Sequence, residues 1–178
     1  MAMLVLTAIG VDREGLVQAL STAVDQHGGN WLESQFARLA GKFAGIALVE
    51  VPADQADAFH VAVAGLQDAV GLRVEITAGE AERHPTSEPV AADRDRPLQL
   101  HLLGQDRPGT VRQVTSALVA QQVTIIEFSS WAKHAPEGDG LLFEAAAVIQ
   151  LPPGGDVEAV RAALEGVANE LMVDIEVN

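Results

Sequence analysis

Two copies of the motif G-x-D-R-x-G contain the residues of this chain whose types and spacing could do chemistry. The first copy runs from Gly10 to Gly15 and the second from Gly104 to Gly109. Each copy follows an apolar run and precedes a helical pattern, so we expect it where a strand ends and a helix begins. The free amides and dipole of a helix start favour a carboxylate, and a neighbouring Asp can bind an ammonium group. The motif therefore suits a free α-amino acid, which carries both charges.

The same residues also have local roles that need no ligand. Gly10 and Gly104 are expected to let the chain turn sharply at the end of the strand. Asp12 and Asp106 are expected to accept hydrogen bonds from amides of the first helical turn. The second glycine of each copy leaves the helix start without a side chain, so that a ligand or another backbone segment can approach. A capped helix after a glycine turn is therefore an alternative interpretation of the motif.

The arginines of the motif, Arg13 and Arg107, have two interpretations. A guanidinium group can bind a carboxylate through two parallel hydrogen bonds. An ordinary salt bridge to the neighbouring Asp is the alternative.

Hydrophobic periodicity predicts the order strand, helix, strand, strand, helix, strand in both halves. Residues 79–96 are rich in charge and proline, which is typical of a linker. We therefore expect an α+β protein with two ferredoxin-like βαββαβ domains, residues 1–78 and 97–178. Each domain should have a four-stranded antiparallel sheet with two helices on one face.

Two predicted helices have specific limits. The second helix of the first half is expected to continue unbroken from Pro52 and Asp54 to Gly71. The first helix of the second half is expected to begin at Pro108, because proline suits the first turn of a helix.

Several predicted strands have apolar residues on both faces of the pleat, as in "LVLTAI" and "GIALVEV". Strands with this pattern are usually covered on both sides. The face without helices therefore implies a partner, which is the sister repeat, a second chain or both.

The composition excludes several classes of protein. The 178 residues carry a formal net charge of −14 with 11 Lys and Arg residues, too few for direct binding to nucleic acid. The absence of Cys excludes disulfides and fits a cytoplasmic protein. The N-terminus has no basic segment typical of a signal peptide, and no run approaches the roughly 20 apolar residues of a membrane span. We expect no nucleic-acid or membrane partner.

No catalytic, nucleotide-binding or metal-binding signature is present. The stretch "GQDRPGT" lacks the lysine of a phosphate-binding loop. The five histidines are dispersed without pairs at helical spacing, and they are His27, His60, His84, His101 and His134. His101 lies on the strand before the second motif, where a surface or interface role is favoured over a ligand contact. We expect no catalytic residue, no metal and no cofactor.

Two βαββαβ units that each open with G-x-D-R-[P/E]-G resemble tandem ACT domains, small regulatory modules that bind amino acids. The first repeat is similar to the amino-terminal ACT domain of glycine cleavage system transcriptional repressors. The matching features are Gly10, Asp12-Arg13, Gly15-Leu16-Val17, Gly29-Asn30, Ser34 and "LAGKFAG" at Leu39 to Gly45. The resemblance covers the whole chain outside the linker.

ACT domains in general bind ligands at an interface between two modules, at the strand-to-helix loop of one and the start of the second strand, often through an Asn. The candidate ligand-binding residues of the first repeat are Gly10, Asp12, Arg13, Gly15, Leu16 and Asn30. Those of the second repeat are Gly104, Asp106, Arg107, Gly109 and Thr110.

The chain departs from the family pattern at two positions. Glu14 replaces the usual proline and adds negative charge where a ligand carboxylate would bind. Thr124, with a shorter side chain, takes the position of Asn30. These departures leave open whether one repeat, both or neither binds a ligand.

We therefore expect an amino-acid sensor, with glycine or serine as ligand, that acts by binding another protein and forms a homo-oligomer or pairs its own ACT domains. The resemblance implies an indirect transcriptional regulator whose partner is a DNA-binding activator of the glycine cleavage genes. One alternative is an ACT interaction protein without a ligand. Another is a free-standing regulatory subunit of an amino-acid metabolic enzyme, since formyltetrahydrofolate deformylases open with a similar motif. Intrinsic enzymatic activity is not expected.

Overall fold

The computed structural model describes residues 1–79, 97–134 and 140–178 of the chain. The chain divides into two compact units, Met1–Thr86 and Ser87–Asn178. The division falls within the predicted linker, which lies outside the described residues except for Gly79. The domain limits 1–78 and 97–178 therefore stay a prediction.

The first unit has a four-stranded antiparallel sheet with the strand order β2-β3-β1-β4. Its elements are β1 (Ala2–Val11), α1 (Leu16–Gln26), β2 (Asn30–Leu39), β3 (Lys42–Val51), α2 (Ala56–Ala64), α3 (Leu66–Val70) and β4 (Leu72–Ala78). The predicted fold class is confirmed. The prediction that the second helix opens at Pro52 and Asp54 is wrong, because α2 begins at Ala56; its predicted end at Gly71 agrees with the end of α3, and α2 and α3 are divided at Gly65, whose backbone is right-handed helical.

A two-residue turn joins β2 to β3 and sets the register of this hairpin. Ala40 and Gly41 both have positive φ, 49° and 74°. Such a pair is typical of the tight hairpin turn whose twist matches that of the strands. Arg38 is consequently paired with Phe43, and Phe43 with Gly10 of β1.

Alternation along the strands builds the core between the sheet and the helices. Leu4, Leu6 and Ala8 of β1 are buried and pack with buried residues of the helices, such as Leu20 of α1 and Phe59 of α2. A period of two on the strand and of three to four on the helix presents these residues to the same interior.

The second unit repeats this architecture with the strand order β6-β7-β5-β8. Its elements are β5 (Leu98–Gln105), α4 (Thr110–Ala120), β6 (Thr124–His134), β7 (Leu141–Gln150), α5 (Val157–Leu171) and β8 (Val173–Val177). Its core is a separate cluster that includes Leu100, Leu118, Ile149 and Leu164. The predicted start of α4 at Pro108 is wrong by two residues, because Gly109 precedes the first helical residue with a left-handed backbone.

Each sheet has a second face without helices, on which apolar side chains are exposed. Examples are Ile9 and Ile46 in the first unit, with Ile46 50% exposed, and Leu103 in the second. The partner predicted for these faces stays a prediction. Across the described residues, none of the helices has the length and apolar character that a membrane crossing requires.

Candidate functional site

The first candidate loop connects β1 to α1 and contains Asp12, Arg13, Glu14 and Gly15. Gly15 directly precedes the helix with φ 85°, a conformation that glycine adopts at little cost. A Cβ atom built on Gly15 would have no heavy atom within 4 Å, so the space beside the helix start is open. No side chain caps α1. The first amides of this helix are therefore left for water or a ligand.

Asp12 does not cap α1, so this prediction is wrong. The helix begins at Leu16, and the carboxylate of Asp12 lies 2.7 Å from Nη2 of Arg38 on β2 instead. The backbone amide of Asp12 donates to the carbonyl of Gly41 in the β2–β3 turn at 3.0 Å. Asp12 is thus held against the hairpin rather than the helix.

Arg38 is a residue of this site that the sequence interpretation missed. It belongs to no motif and lies 26 residues after Asp12. The feature of the sequence that could have indicated Arg38 is the short turn between β2 and β3, because the turn sets the register of the hairpin. A two-residue turn at Ala40–Gly41 places Arg38 beside the end of β1, where the loop begins.

Arg13 lies at the other side of the same loop. Its Nη2 atom lies 3.4 Å from the position that a Cβ atom added to Gly71 would occupy, and Gly71 is the residue that ends α3. Among the described residues, the local salt bridge that was left open for Arg13 does not form, because Asp12 pairs with Arg38.

The second candidate loop connects β5 to α4 with similar backbone but different side-chain contacts. Gly109 has φ 93°, and a Cβ there would also meet nothing within 4 Å. Asp106 does not cap α4, since no side chain does, and its amide donates to the carbonyl of Leu141 at 2.9 Å. Nη2 of Arg107 donates to Oε1 of Gln105 at 3.3 Å.

Gly10 and Gly104 are not turn residues, so that part of the prediction is wrong. Both lie within strands, paired on two sides. A Cβ on Gly10 would lie 2.7 Å from the carbonyl oxygen of Gly71, and one on Gly104 would lie 2.2 Å from Cγ1 of Val173. Glycine is required at both positions because a neighbouring segment of the same unit approaches closely.

Leu16 and Thr110 begin α1 and α4, and each is only 2% exposed. Leu16 packs in the core. The hydroxyl of Thr110 donates to the carbonyl of Arg107 at 3.0 Å. A ligand at either loop would therefore contact the backbone of these residues and not their side chains.

Asn30 begins β2 as predicted, but it lies at the opposite end of the sheet from Asp12. Asn30 is paired with Glu50 of β3, whereas Arg38 is paired with Phe43. The two positions are therefore separated by roughly 23 Å, at about 3.3 Å per residue along β3. Asn30 and the first loop of the same unit are therefore too far apart to contact one small ligand.

A groove of about 400 Å³ borders the first loop. It starts at Gly15, passes between α1 and the α2–α3 segment, and is lined by small residues such as Ala19 and Ala62. Two other cavities lie on the open faces of the sheets, one beside Thr7 and Arg73 and one beside His101 and Glu144. Across the parts of the chain that the structure describes, no cluster of His, Asp and Glu could hold a metal ion. His84 lies outside those parts.

Comparisons with known proteins show which proteins this chain resembles in sequence and in fold. Residues 2–77 match the ACT domain family. An unknown protein from Galdieria sulphuraria superposes with a TM-score of 0.83 and 26% identity, over 99% of this chain and 97% of that chain. A candidate glycine cleavage system transcriptional repressor superposes with a TM-score of 0.72 and 18% identity, over 99% and 96%. No curated protein sequence matches the chain.

The second unit has the same strand order and the same left-handed glycine before its first helix as the first. The first unit matches the ACT domain family over residues 2–77, and the chain as a whole has the fold of two tandem ACT domains.

Proposed function

We propose that this protein is a regulator that senses a small amino acid at a strand-to-helix loop and transmits the signal by binding another protein. The observation that carries the proposal is the uncapped start of α1 at Gly15, in the same loop as the acidic residue Asp12 and within the region that matches the ACT domain family.

The loop offers both charges of an amino acid a partner. Free amides and the positive end of the helix dipole stabilise a carboxylate. Asp12 supplies a negative charge for an ammonium group. The open space at Gly15 lets a small ligand approach the backbone.

The likeness to a candidate glycine cleavage system transcriptional repressor supports glycine as the ligand and transcription as the output. A net charge of −14 opposes direct contact with DNA. The protein would therefore act through a DNA-binding partner. Binding of glycine and of this partner are coupled if glycine has different affinities for the partner-bound and free conformations.

Thermal unfolding of the full chain with each free amino acid at millimolar concentration tests the proposal. A ligand at 100 times its Kd adds about 2.7 kcal/mol to the free energy of unfolding, which raises the Tm of a unit of about 80 residues by roughly 10–20 °C. We expect glycine or serine to raise the Tm, and Asp12→Ala to abolish the rise. Asp106→Ala is the matched substitution in the second loop.

The absence of a rise with every amino acid would overturn the sensor and favour the ACT interaction protein without a ligand. A rise that persists in both Asp variants would place the amino acid elsewhere in the molecule. A rise with the product of one amino-acid metabolic enzyme, and not with glycine or serine, would favour the enzyme regulatory subunit.

A further inference from the structure

The ion pair between Asp12 and Arg38 matches the two charges of an amino acid. We propose that a zwitterionic ligand inserts into this pair, so that its carboxylate binds Arg38 and its ammonium group binds Asp12. This inference rests on the proposed function and assigns to Arg38 the recognition of the ligand carboxylate.

Asp12 is positioned to act as the fixed member of the pair. Its side chain is 21% exposed, and its amide is anchored to the carbonyl of Gly41 at 3.0 Å. The carboxylate is therefore held at the end of β1 whether or not Arg38 is bound to it.

Arg38 is the accessible member. Its side chain is 75% exposed, and a guanidinium group has five N–H donors arranged to bind a carboxylate in a bidentate manner. Exposed pairs of this kind add little to stability. A ligand can therefore separate Arg38 from Asp12 at small cost, provided that it satisfies both charges.

The second unit lacks this arrangement. Ala132 is paired with Phe143, as Arg38 is paired with Phe43, so an alanine takes the position of the arginine. Asp106 has no ion pair among residues 1–79, 97–134 and 140–178. The structure thus assigns zwitterion recognition to the first unit.

The helix start of the second unit is also occupied by its own loop. The hydroxyl and the backbone amide of Thr110 both donate to the carbonyl of Arg107, at 3.0 and 3.4 Å. The structure gives no corresponding contact at Leu16. The backbone at the start of α4 is consequently less open to a ligand than the backbone at the start of α1.

Calorimetric titration of the full chain with glycine, and separately with serine, tests the assignment. Arg38→Met keeps an unbranched apolar stem and removes the guanidinium group with its charge. We expect Arg38→Met and Asp12→Asn each to weaken binding about tenfold or more, which corresponds to the loss of one hydrogen bond to a charged group. Arg38→Lys should weaken binding less than Arg38→Met does.

Two further measurements provide the controls. Arg161→Met removes a different exposed arginine, which pairs with Glu158 at 3.3 Å on α5, and should leave the affinity unchanged. Acetate and methylamine each carry one charge of the ligand, and each should bind far more weakly than glycine.

The outcomes separate this inference from the proposed function. If neither glycine nor serine binds the wild-type chain, this inference is overturned, and the proposed function is overturned as well if none of the other free amino acids raises the Tm. If glycine binds, but Arg38→Met behaves like Arg161→Met, only the role of Arg38 is overturned. Loss of binding in Asp106→Asn with normal binding in Asp12→Asn would assign the site to the second loop and also overturn the inference.

Discussion

Glycine residues in this protein lie in three different environments, and a methyl group added in each is expected to have a different effect on stability. Gly10 and Gly104 lie in strands, where a neighbouring segment of the same unit is in close contact. Gly15 and Gly109 have open surroundings but left-handed backbones. Gly166 lies in the interior of α5 with nothing within 4 Å of its Cβ position. The same substitution is therefore expected to change stability in opposite directions.

We predict that Gly104→Ala lowers the free energy of unfolding by about 1–3 kcal/mol, because its Cβ would lie 2.2 Å from Cγ1 of Val173. Gly166→Ala should raise it by roughly 0.5–1 kcal/mol, because alanine is the better helix former. Urea unfolding of both variants provides the measurement. Equal effects at the two positions would show that close approach is not the reason for glycine in β5.

Gln113 is a residue whose buried acceptor lacks a partner. Its Oε1 atom is buried without a hydrogen bond among the described residues. An unsatisfied buried polar atom costs stability, and an apolar side chain of similar length removes that cost. We predict that Gln113→Met raises the free energy of unfolding by about 1 kcal/mol in urea titration. A decrease would indicate that the amide binds a water molecule or another group essential to the fold.

At the scale of elements, the β6–β7 hairpin joins three side chains across its strands. Glu144 of β7 accepts hydrogen bonds from Lys133 and, at 3.1 Å, from Nε1 of Trp131. The hydrogen bond from Lys133 is the largest cause that lowers the pKa of Glu144 below its usual 4.5, although partial desolvation opposes it. A lowered pKa in the folded state means that ionised Glu144 stabilises this hairpin.

The stabilisation is present above the unfolded-state pKa of Glu144, near 4.5, and is lost as the pH falls through the lower folded-state value. We predict that Glu144→Gln lowers the Tm near pH 7 and that the difference from wild type shrinks below about pH 4.5. Lys133→Met should have the same pH dependence. A difference in Tm that stays constant from pH 7 to pH 3 would contradict the role of this carboxylate.

Periodicity predicted the elements well, because alternation in the strands and the stripes on the helices reflect burial within one unit. At Gly65, between α2 and α3, the stripe of Phe59, Val63, Leu66 and Val70 continues through a residue whose own backbone is right-handed helical, with φ −65° and ψ −17°. The candidate site was less predictable. Asp12 was expected at the helix, and Arg38 was not expected at all, because their pairing depends on the register between distant strands.

At the scale of the whole molecule, charge limits the choice of partners. The formal net charge is −14, with 25 acidic and 11 basic residues. Binding to DNA requires several Lys or Arg contacts to phosphates. We predict no change in the fluorescence anisotropy of a labelled duplex with this protein alone at physiological salt, with or without glycine. Salt-sensitive binding would show that the protein contacts DNA directly and needs no DNA-binding partner.

Each unit encloses its own core, one formed by residues between Leu4 and Ile76 and the other by residues between Leu98 and Val177. A compact core usually unfolds in one cooperative transition, so we expect the two units to unfold in separate transitions. A ligand bound at the first loop should then raise the Tm of the first unit only. The transition of the second unit responds to temperature, salt and solvent as the first does, and it therefore provides an internal reference for ligand binding.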